Sequence, residues 1–385
     1  MHRPMSSRGT PGPRLLPLAL CSALLGVTFA ACVVHIEPFE GLCDGGHPCG
    51  DGGACQLAAC LAGDAGADGG DREDGGDGGV ERDDDGGAGV WLSGTTIKEP
   101  DGGPFATWRR RPIEIVAAWA DVNSATQEEV YILGPSGQWG DWEGPLDFAV
   151  GGIFKDEGET WRAAADGGQR YVVRWTQMLK NIQSYRQGKG TTYIRFAQEF
   201  NTAGMKWSVD QGEVEDFKKA WLVFCGLGRA TFPEAKLVWN PNDTTTSDLG
   251  DARDAYPDDG CVDVIGLRSH NQPPHFISTA ADFERLWEAR LDGGAPVGPE
   301  AWRQFGLTKH VPMALSDWAS VGIDGGGGDS PEYFTGMYRW LRQHGGSGSG
   351  EVRYEVYVQL KSRPELQLFP GGNQPEAAKK YQELW

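Results

Sequence analysis

The sequence predicts a (β/α)8 barrel over residues 90–385, and three observations carry that prediction. Strand-like and helix-like segments alternate through this whole region, which indicates parallel α/β structure. No nucleotide-type glycine turn accompanies them. Gly151–Phe154 lacks dinucleotide spacing, and GIDGGGGDS (322–330) lacks the Lys-Ser/Thr of a phosphate loop. Polar residues then recur just past the strand-like runs, where a barrel builds its active face.

The elements follow in order. IEIVAAWAD (113–121) reads as the first strand and LDFAVGGIF (146–154) as the second. The third has no clear run, and either falls near 160–165 or goes unread. Residues 167–188 carry apolar side chains at helical spacing. TYIRFAQEFN (192–201) is the fourth strand, running into polar residues. A helix at 214–230 leads to AKLVWNPN (235–242), and CVDVIGLRSH (261–270) follows as the sixth strand. ADFERLWEARL (281–291) and EAWRQFG (300–306) read as helical, VPMALSDWA (311–319) as the seventh strand. Ser330-Pro331 opens a helix to 345, and EVRYEVYVQL (351–360) closes the series.

The N-terminal part is of another kind. Basic residues precede an apolar run that ends in Phe29-Ala30-Ala31-Cys32, a signal-peptide pattern over 1–31. It resembles a bacterial lipoprotein signal, which would make Cys32 the lipidated first residue. The expected location is then the cell envelope or outer surface, or free secretion if the signal is an ordinary one. Residues 32–60 form a short Cys-rich segment. Cys43, Cys49, Cys55 and Cys60 lack a Cys-x-x-Cys pair, so disulfides are favoured over a metal site, in any of three pairings. Residues 61–89 carry ten acidic and two basic side chains, so this stretch alone gives −8 of the formal −19. With no aromatic residue and almost nothing to bury, it reads as a disordered linker. The negative balance argues against a nucleic-acid partner.

Glu199 and Asp317 are carboxylates ending different strands, as glycosidic cleavage requires: one acid protonates the departing oxygen, the other attacks the anomeric carbon. Each also has a plainer explanation as a structural or solvated acid. Arg195 lies on the Glu199 face of its strand, and Asn201 is placed to meet a sugar hydroxyl. Asp121, Asn240, Asn242, Arg268 and His270 follow other strands. Trp139, Trp142, Trp207, Trp239 and Trp318 are expected to line sugar subsites, whereas Trp175, Trp221, Trp287 and Trp340 read as helix packing. No metal-ligand spacing stands out, no cofactor is expected, and nothing requires more than a monomer.

From about residue 110 the chain resembles glycoside hydrolase family 26, the β-mannanase type. RFAQEFNTAGMKW, LVWNPN, AYPDDGCVDVIGL and VPMALSDWA carry the resemblance, in order. It implies a polysaccharide substrate, most often β-linked mannan, retention of anomeric configuration and no organic cofactor. It implies Glu199 as acid/base, Arg195 and Asn201 as shaping residues and Trp207 in a subsite. Three positions depart from the pattern: Asp317 stands where the nucleophile is glutamate, His270 where a tyrosine is usual, and Gln198 where histidine is usual. A divergent hydrolase, a hydrolase of the inverting kind with Asp317 as base for water, and a glycan-binding barrel without catalysis are all consistent with these departures.

Overall fold

Short runs of β-branched and small apolar residues pair in parallel and close on themselves. In chain order the strands are β1 (Leu92–Thr95), β2 (Ile115–Ala120), β3 (Leu146–Val150), β4 (Thr192–Phe196), β5 (Lys236–Trp239) and β6 (Val264–Asn271). A small antiparallel hairpin, β7 (Arg290–Asp292) and β8 (Ala295–Val297), interrupts the series before β9 (Met313–Ser320) and β10 (Val352–Tyr357). The eight strands other than the hairpin form a closed barrel in the order β1-β10-β9-β6-β5-β4-β3-β2. These elements come from a computed structural model describing residues 90–97, 103–121, 123–257, 260–273, 277–287, 290–292, 294–322, 326–360 and 362–385. The segments read as signal peptide, Cys-rich segment and linker, with Cys32 and the four cysteines after it, lie outside the described residues.

One strand differs from expectation. The run absent from the sequence reading is β1, not a strand near 160–165, where Trp161–Ala165 is a short helix. IEIVAAWA is therefore the second barrel strand and LDFAV the third. Closure depends on a close approach at β1: a Cβ at Gly94 would sit 1.9 Å from the Ile115 carbonyl oxygen. Only glycine fits there. The helix expected over 281–291 stops at Trp287, and Arg290 already belongs to the hairpin.

Strand alternation divides the core in two. Ile115, Ala117, Tyr193, Val238, Val264, Ala314, Tyr354 and Val356 fill the barrel interior. The alternate residues, Val116, Phe148, Ile194, Phe196 and Leu237 among them, face the helices in a larger cluster. Cys225, on the helix Val214–Thr231, is disulfide-bonded to Cys261 just ahead of β6. Among the described residues, no helix is long and apolar enough to cross a membrane.

Candidate active site

β4 ends at Phe196, and the chain then turns sharply. Ala197 and Glu199 both have φ near +51°. A non-glycine residue in this region costs on the order of 1–3 kcal/mol, so neighbours must hold it. They do: Ala197 N–H donates to Val150 O (3.0 Å) on β3, and Glu199 N–H to Asn240 O (2.7 Å) beyond β5. The turn carries Glu199 to the C-terminal mouth, with its side chain 17% exposed. Asn242 Nδ2 donates to Glu199 Oε2 at 3.2 Å.

Asn242 is itself clamped. Asn201 Oδ1 accepts from the Asn242 N–H (2.7 Å), and Asn201 Nδ2 donates to Asn242 O (2.9 Å). Asn201 is fully buried. It therefore fixes the loop after β5 and does not face the cleft, which corrects its expected contact with sugar. Trp207 is likewise buried, and its indole N–H donates to Gln198 O at 2.6 Å. It supports the turn bearing Glu199 from behind and lines no open subsite.

Across the mouth, β9 carries an extra residue. Gly266 and Arg268, two apart on β6, pair with Ala314 and Asp317, three apart on β9. Such a bulge re-aims the side chains that follow it. Ala314 lies in the barrel interior, and the bulge brings Asp317 to the side of His270. His270 Nε2 stands 2.6 Å from Asp317 Oδ1, and Arg268 Nη2 stands 2.7 Å from His270 Nδ1. Arginine can only donate, so Nδ1 accepts and the ring proton sits on Nε2, donating to Asp317. Arg268 Nε also lies 3.7 Å from Glu199 Oε2. One ordered chain thus runs from Glu199 through Arg268 and His270 to Asp317.

The two carboxyls are pushed apart in acidity. Burial raises Glu199, and the charge of Asp317 adds to that against Arg268 and Arg195. Burial would raise Asp317 too, but His270, Arg268 and Arg195 outweigh it and hold Asp317 below the usual carboxylate range. Burial and the Arg268 charge lower His270, in keeping with a neutral ring.

Beneath the mouth, Arg195 and Asp147 form a fully buried ion pair between β4 and β3. Arg195 Nη1 also donates to Gln198 Oε1 (3.1 Å), and Gln198 Nε2 donates to Asp121 Oδ2 (2.7 Å). Trp119 completes this layer. It shares a cross-strand row with Ala149 and Arg195, and the Arg195 guanidinium lies 5.5 Å from its ring centre. Trp119 remains partly exposed. The sequence reading passed it over, although the inward alternation Ile115, Ala117, Trp119 places it at a strand end.

The other tryptophans lie elsewhere. Trp239 is buried outside the sheet among Phe200, Tyr256 and Trp302. Trp318, one residue past Asp317, points outward to Phe334 and Trp385, and its N–H donates to buried Glu355. Trp139 and Trp142 precede β3, so they sit at the opposite, N-terminal end, where Arg186 Nη1 donates to Trp142 O (2.6 Å). None of these four lines the mouth, contrary to expectation. Among the described residues, no group of three or more His, Cys, Asp or Glu is arranged to hold a metal.

Fold and site together define a parallel eight-stranded barrel with a linked carboxylate pair at its C-terminal face. The sequence matches no family profile and no curated protein. Solved structures are similar to it. The catalytic domain of the Bacillus sp. JAMB-750 GH26 endo-β-1,4-mannanase aligns with a TM-score of 0.51 at 13% identity, covering 76% of this chain and 85% of that one. The GH26 β-mannanase of Bacteroides ovatus gives 0.47 at 14%, over 70% and 78%. ZgEngAGH5_4 gives 0.49 at 14%, over 77% and 96%. The likeness is one of fold: a (β/α)8 barrel distantly similar to that of the GH26 catalytic domain from Bacillus sp. JAMB-750.

Proposed function

We propose that the barrel hydrolyses internal β-glycosidic bonds in a polysaccharide, with Glu199 as acid/base and Asp317 as nucleophile. The observation that carries this is the geometry of one linked cluster at the mouth, Glu199 beside Arg268, Arg268 on His270 and His270 on Asp317, in which burial raises the first carboxyl and His270 with the arginines lowers the second. A raised group suits proton donation and a lowered one suits attack. Glu199 would give its proton to the leaving glycosidic oxygen while Asp317 attacks the anomeric carbon. Water, deprotonated by Glu199, would then release the sugar from Asp317. His270 occupies Asp317 Oδ1, which leaves Oδ2 for the attack. The bulge in β9 supplies a backbone displacement just where the side chain is one methylene shorter than glutamate. Trp119 offers a flat ring beside the reacting positions.

β-1,4-Mannan is the substrate that the resemblance to family 26 favours. Export as a lipoprotein anchored at Cys32 also belongs to this reading, and the bonded Cys225–Cys261 pair supports an oxidising compartment. The acidic segment 61–89 would then act as a tether. A second reading, a glycan-binding barrel without turnover, is favoured by one feature: Arg268 lies against Glu199. The test is release of reducing ends from β-mannan, β-glucan and xylan by the full chain and by Glu199→Gln. Hydrolysis that is lost in the variant supports the enzyme. Binding with no release of ends by the parent supports the second reading, and equal hydrolysis by both proteins removes Glu199 from the mechanism.

A further inference from the structure

Beside the mouth lies a second concavity that the chemistry above leaves unused. Its volume is about 560 Å³, within the range of small-molecule sites. One wall is the loop Asn123–Gln127 that follows β2, the other the first half of the helix Gln169–Arg186. Ala120 and Gly151, at the ends of β2 and β3, form its inner edge. Ala120 adjoins Asp121, which Gln198 bonds, and Gln198 adjoins Glu199. The concavity therefore opens next to the proposed reaction centre but on the outer side of the strands.

The lining has a definite chemistry. Gln127 and Gln169 present amides, while the Ser124 and Thr126 hydroxyls and the Gln177 amide donate to Glu157, Asn123 and Asn181 and keep oxygen lone pairs to accept from a ligand. Val173, with 58% exposure, provides an aliphatic surface among them, backed by Met178 and Phe154. The charged groups are already paired. Arg170 and Arg174 both bond the buried Glu159, and Arg174 Nη2 also donates to Gly152 O at 2.9 Å. Glu129 Oε1 accepts from Asn181 Nδ2 at 2.8 Å. Arg170 and Arg174 thus share Glu159, and with Glu129 in the lining and Glu157 at the loop wall no cation among the described residues there is left over to hold an anionic ligand.

The loop wall is also preformed. Asn123 Oδ1 accepts from Ala125 N (3.0 Å) and Thr126 N (2.9 Å), and Ser124 N donates to Glu157 Oε1 (3.1 Å). A preformed wall lowers the ordering cost of binding. Amides and hydroxyls around an aliphatic patch, in a concavity with no spare cation among the described residues, match a neutral polyhydroxylated chain. Its hydroxyls would meet the amides and its C–H faces would meet Val173.

We infer that this groove is an accessory glycan-binding site, which holds a neutral segment of the same polysaccharide outside the reaction centre. The inference rests on the glycan reading above for its ligand class, but not on Glu199 or Asp317.

The experiment uses the full chain and three variants: Val173→Glu, Gln177→Ala and Glu199→Gln. Migration is followed in native gels containing β-mannan, β-glucan or xylan, alongside turnover of a short aryl β-glycoside. At least one polymer is expected to retard the parent and Glu199→Gln equally. Val173→Glu should weaken that retardation about tenfold, the equivalent of 1.4 kcal/mol, and Gln177→Ala in the same direction. Both groove variants should keep the parental urea midpoint, which shows that they are folded whether or not the parent turns over the aryl glycoside, and should leave any such turnover at the parental rate. Retardation of the groove variants equal to the parent overturns the inference, as does absence of retardation by all three polymers. Loss of turnover confined to Glu199→Gln bears on the hydrolase reading alone.

Discussion

His270 donates through Nε2 to Asp317 Oδ1 at 2.6 Å, and it does so because Arg268 holds the other ring nitrogen. The three residues form a ratchet of donors: arginine can only give, the ring takes on one side and gives on the other, and the carboxylate only takes. This keeps Asp317 ionised without placing a full positive charge on the ring. Removing the ring should therefore act on acidity as well as on rate. In His270→Ala, Asp317 loses a buried hydrogen bond and its acidity falls. The expected result is a drop in kcat of at least about tenfold, equal to 1.36 kcal/mol of lost transition-state stabilisation. The acid limb of the pH profile should move to higher pH. An unmoved acid limb would mean that His270 only fills space.

Asp317→Glu tests whether the short side chain of the proposed nucleophile is a defect or a fit. If the bulge in β9 has adjusted the backbone to an aspartate, a longer side chain collides with His270, and activity should fall rather than rise. The measure is kcat on the best polymer of the panel. A gain would show instead that the barrel has decayed from a glutamate-bearing ancestor.

Much of this architecture could be read from the sequence. The runs around Ile115, Leu146, Thr192 and Val264 announce themselves through β-branched and aromatic residues, and TYIRFAQEFN marks Glu199 as lying past a strand end. β1 could not be read the same way. LSGT has one large apolar residue, and its decisive member, Gly94, is chosen for the Ile115 carbonyl it must approach. The phase of β9 was hidden for a different reason. Strict alternation from Ala314 would turn Ser316 and Trp318 inward and Asp317 outward; the bulge reverses the last two, and pairing with β6 creates it. Trp139 and Trp142 are a simpler matter, since residues just ahead of a strand belong to the N-terminal end of a barrel. Trp119 was legible from period two alone.

Trp119 is a partly exposed aromatic at the floor of the mouth, with the Arg195 guanidinium 5.5 Å from its ring centre. Trp119→Ala should raise KM for oligosaccharides five- to thirtyfold, the equivalent of about 1–2 kcal/mol. Because the ring is partly exposed, the urea midpoint should change little. An unaltered KM with a large loss of stability would reassign Trp119 to the core.

The buried Asp147–Arg195 pair lies at the floor of the site. Asp147→Ala strands a guanidinium inside the barrel, and breaking such a pair costs about 3–5 kcal/mol. Equilibrium unfolding in urea measures it. A loss below about 1 kcal/mol would show that water reaches Arg195 and relieves the charge.

On the proposed mechanism, the pH dependence of hydrolysis follows from the two carboxyls with opposite signs. Glu199 must be protonated to act as acid, and its value is raised, chiefly by burial. Activity is therefore retained above the ordinary glutamate range and lost as pH climbs through the raised value. Asp317 must be ionised, and its value is lowered by His270 and the two arginines against burial. Activity therefore persists below the ordinary aspartate range and fails only when pH falls through the lowered value. The profile of kcat/KM should be a bell whose limbs belong to the coupled pair. Glu199→Gln removes the alkaline limb and reduces the rate on polymer by about 10²–10⁴. An aryl glycoside with a good leaving group needs less help from the acid, so its rate should fall by less. A bell that survives intact in Glu199→Gln would assign the alkaline limb to another group, with Asp121, half-buried and likewise raised, next in line.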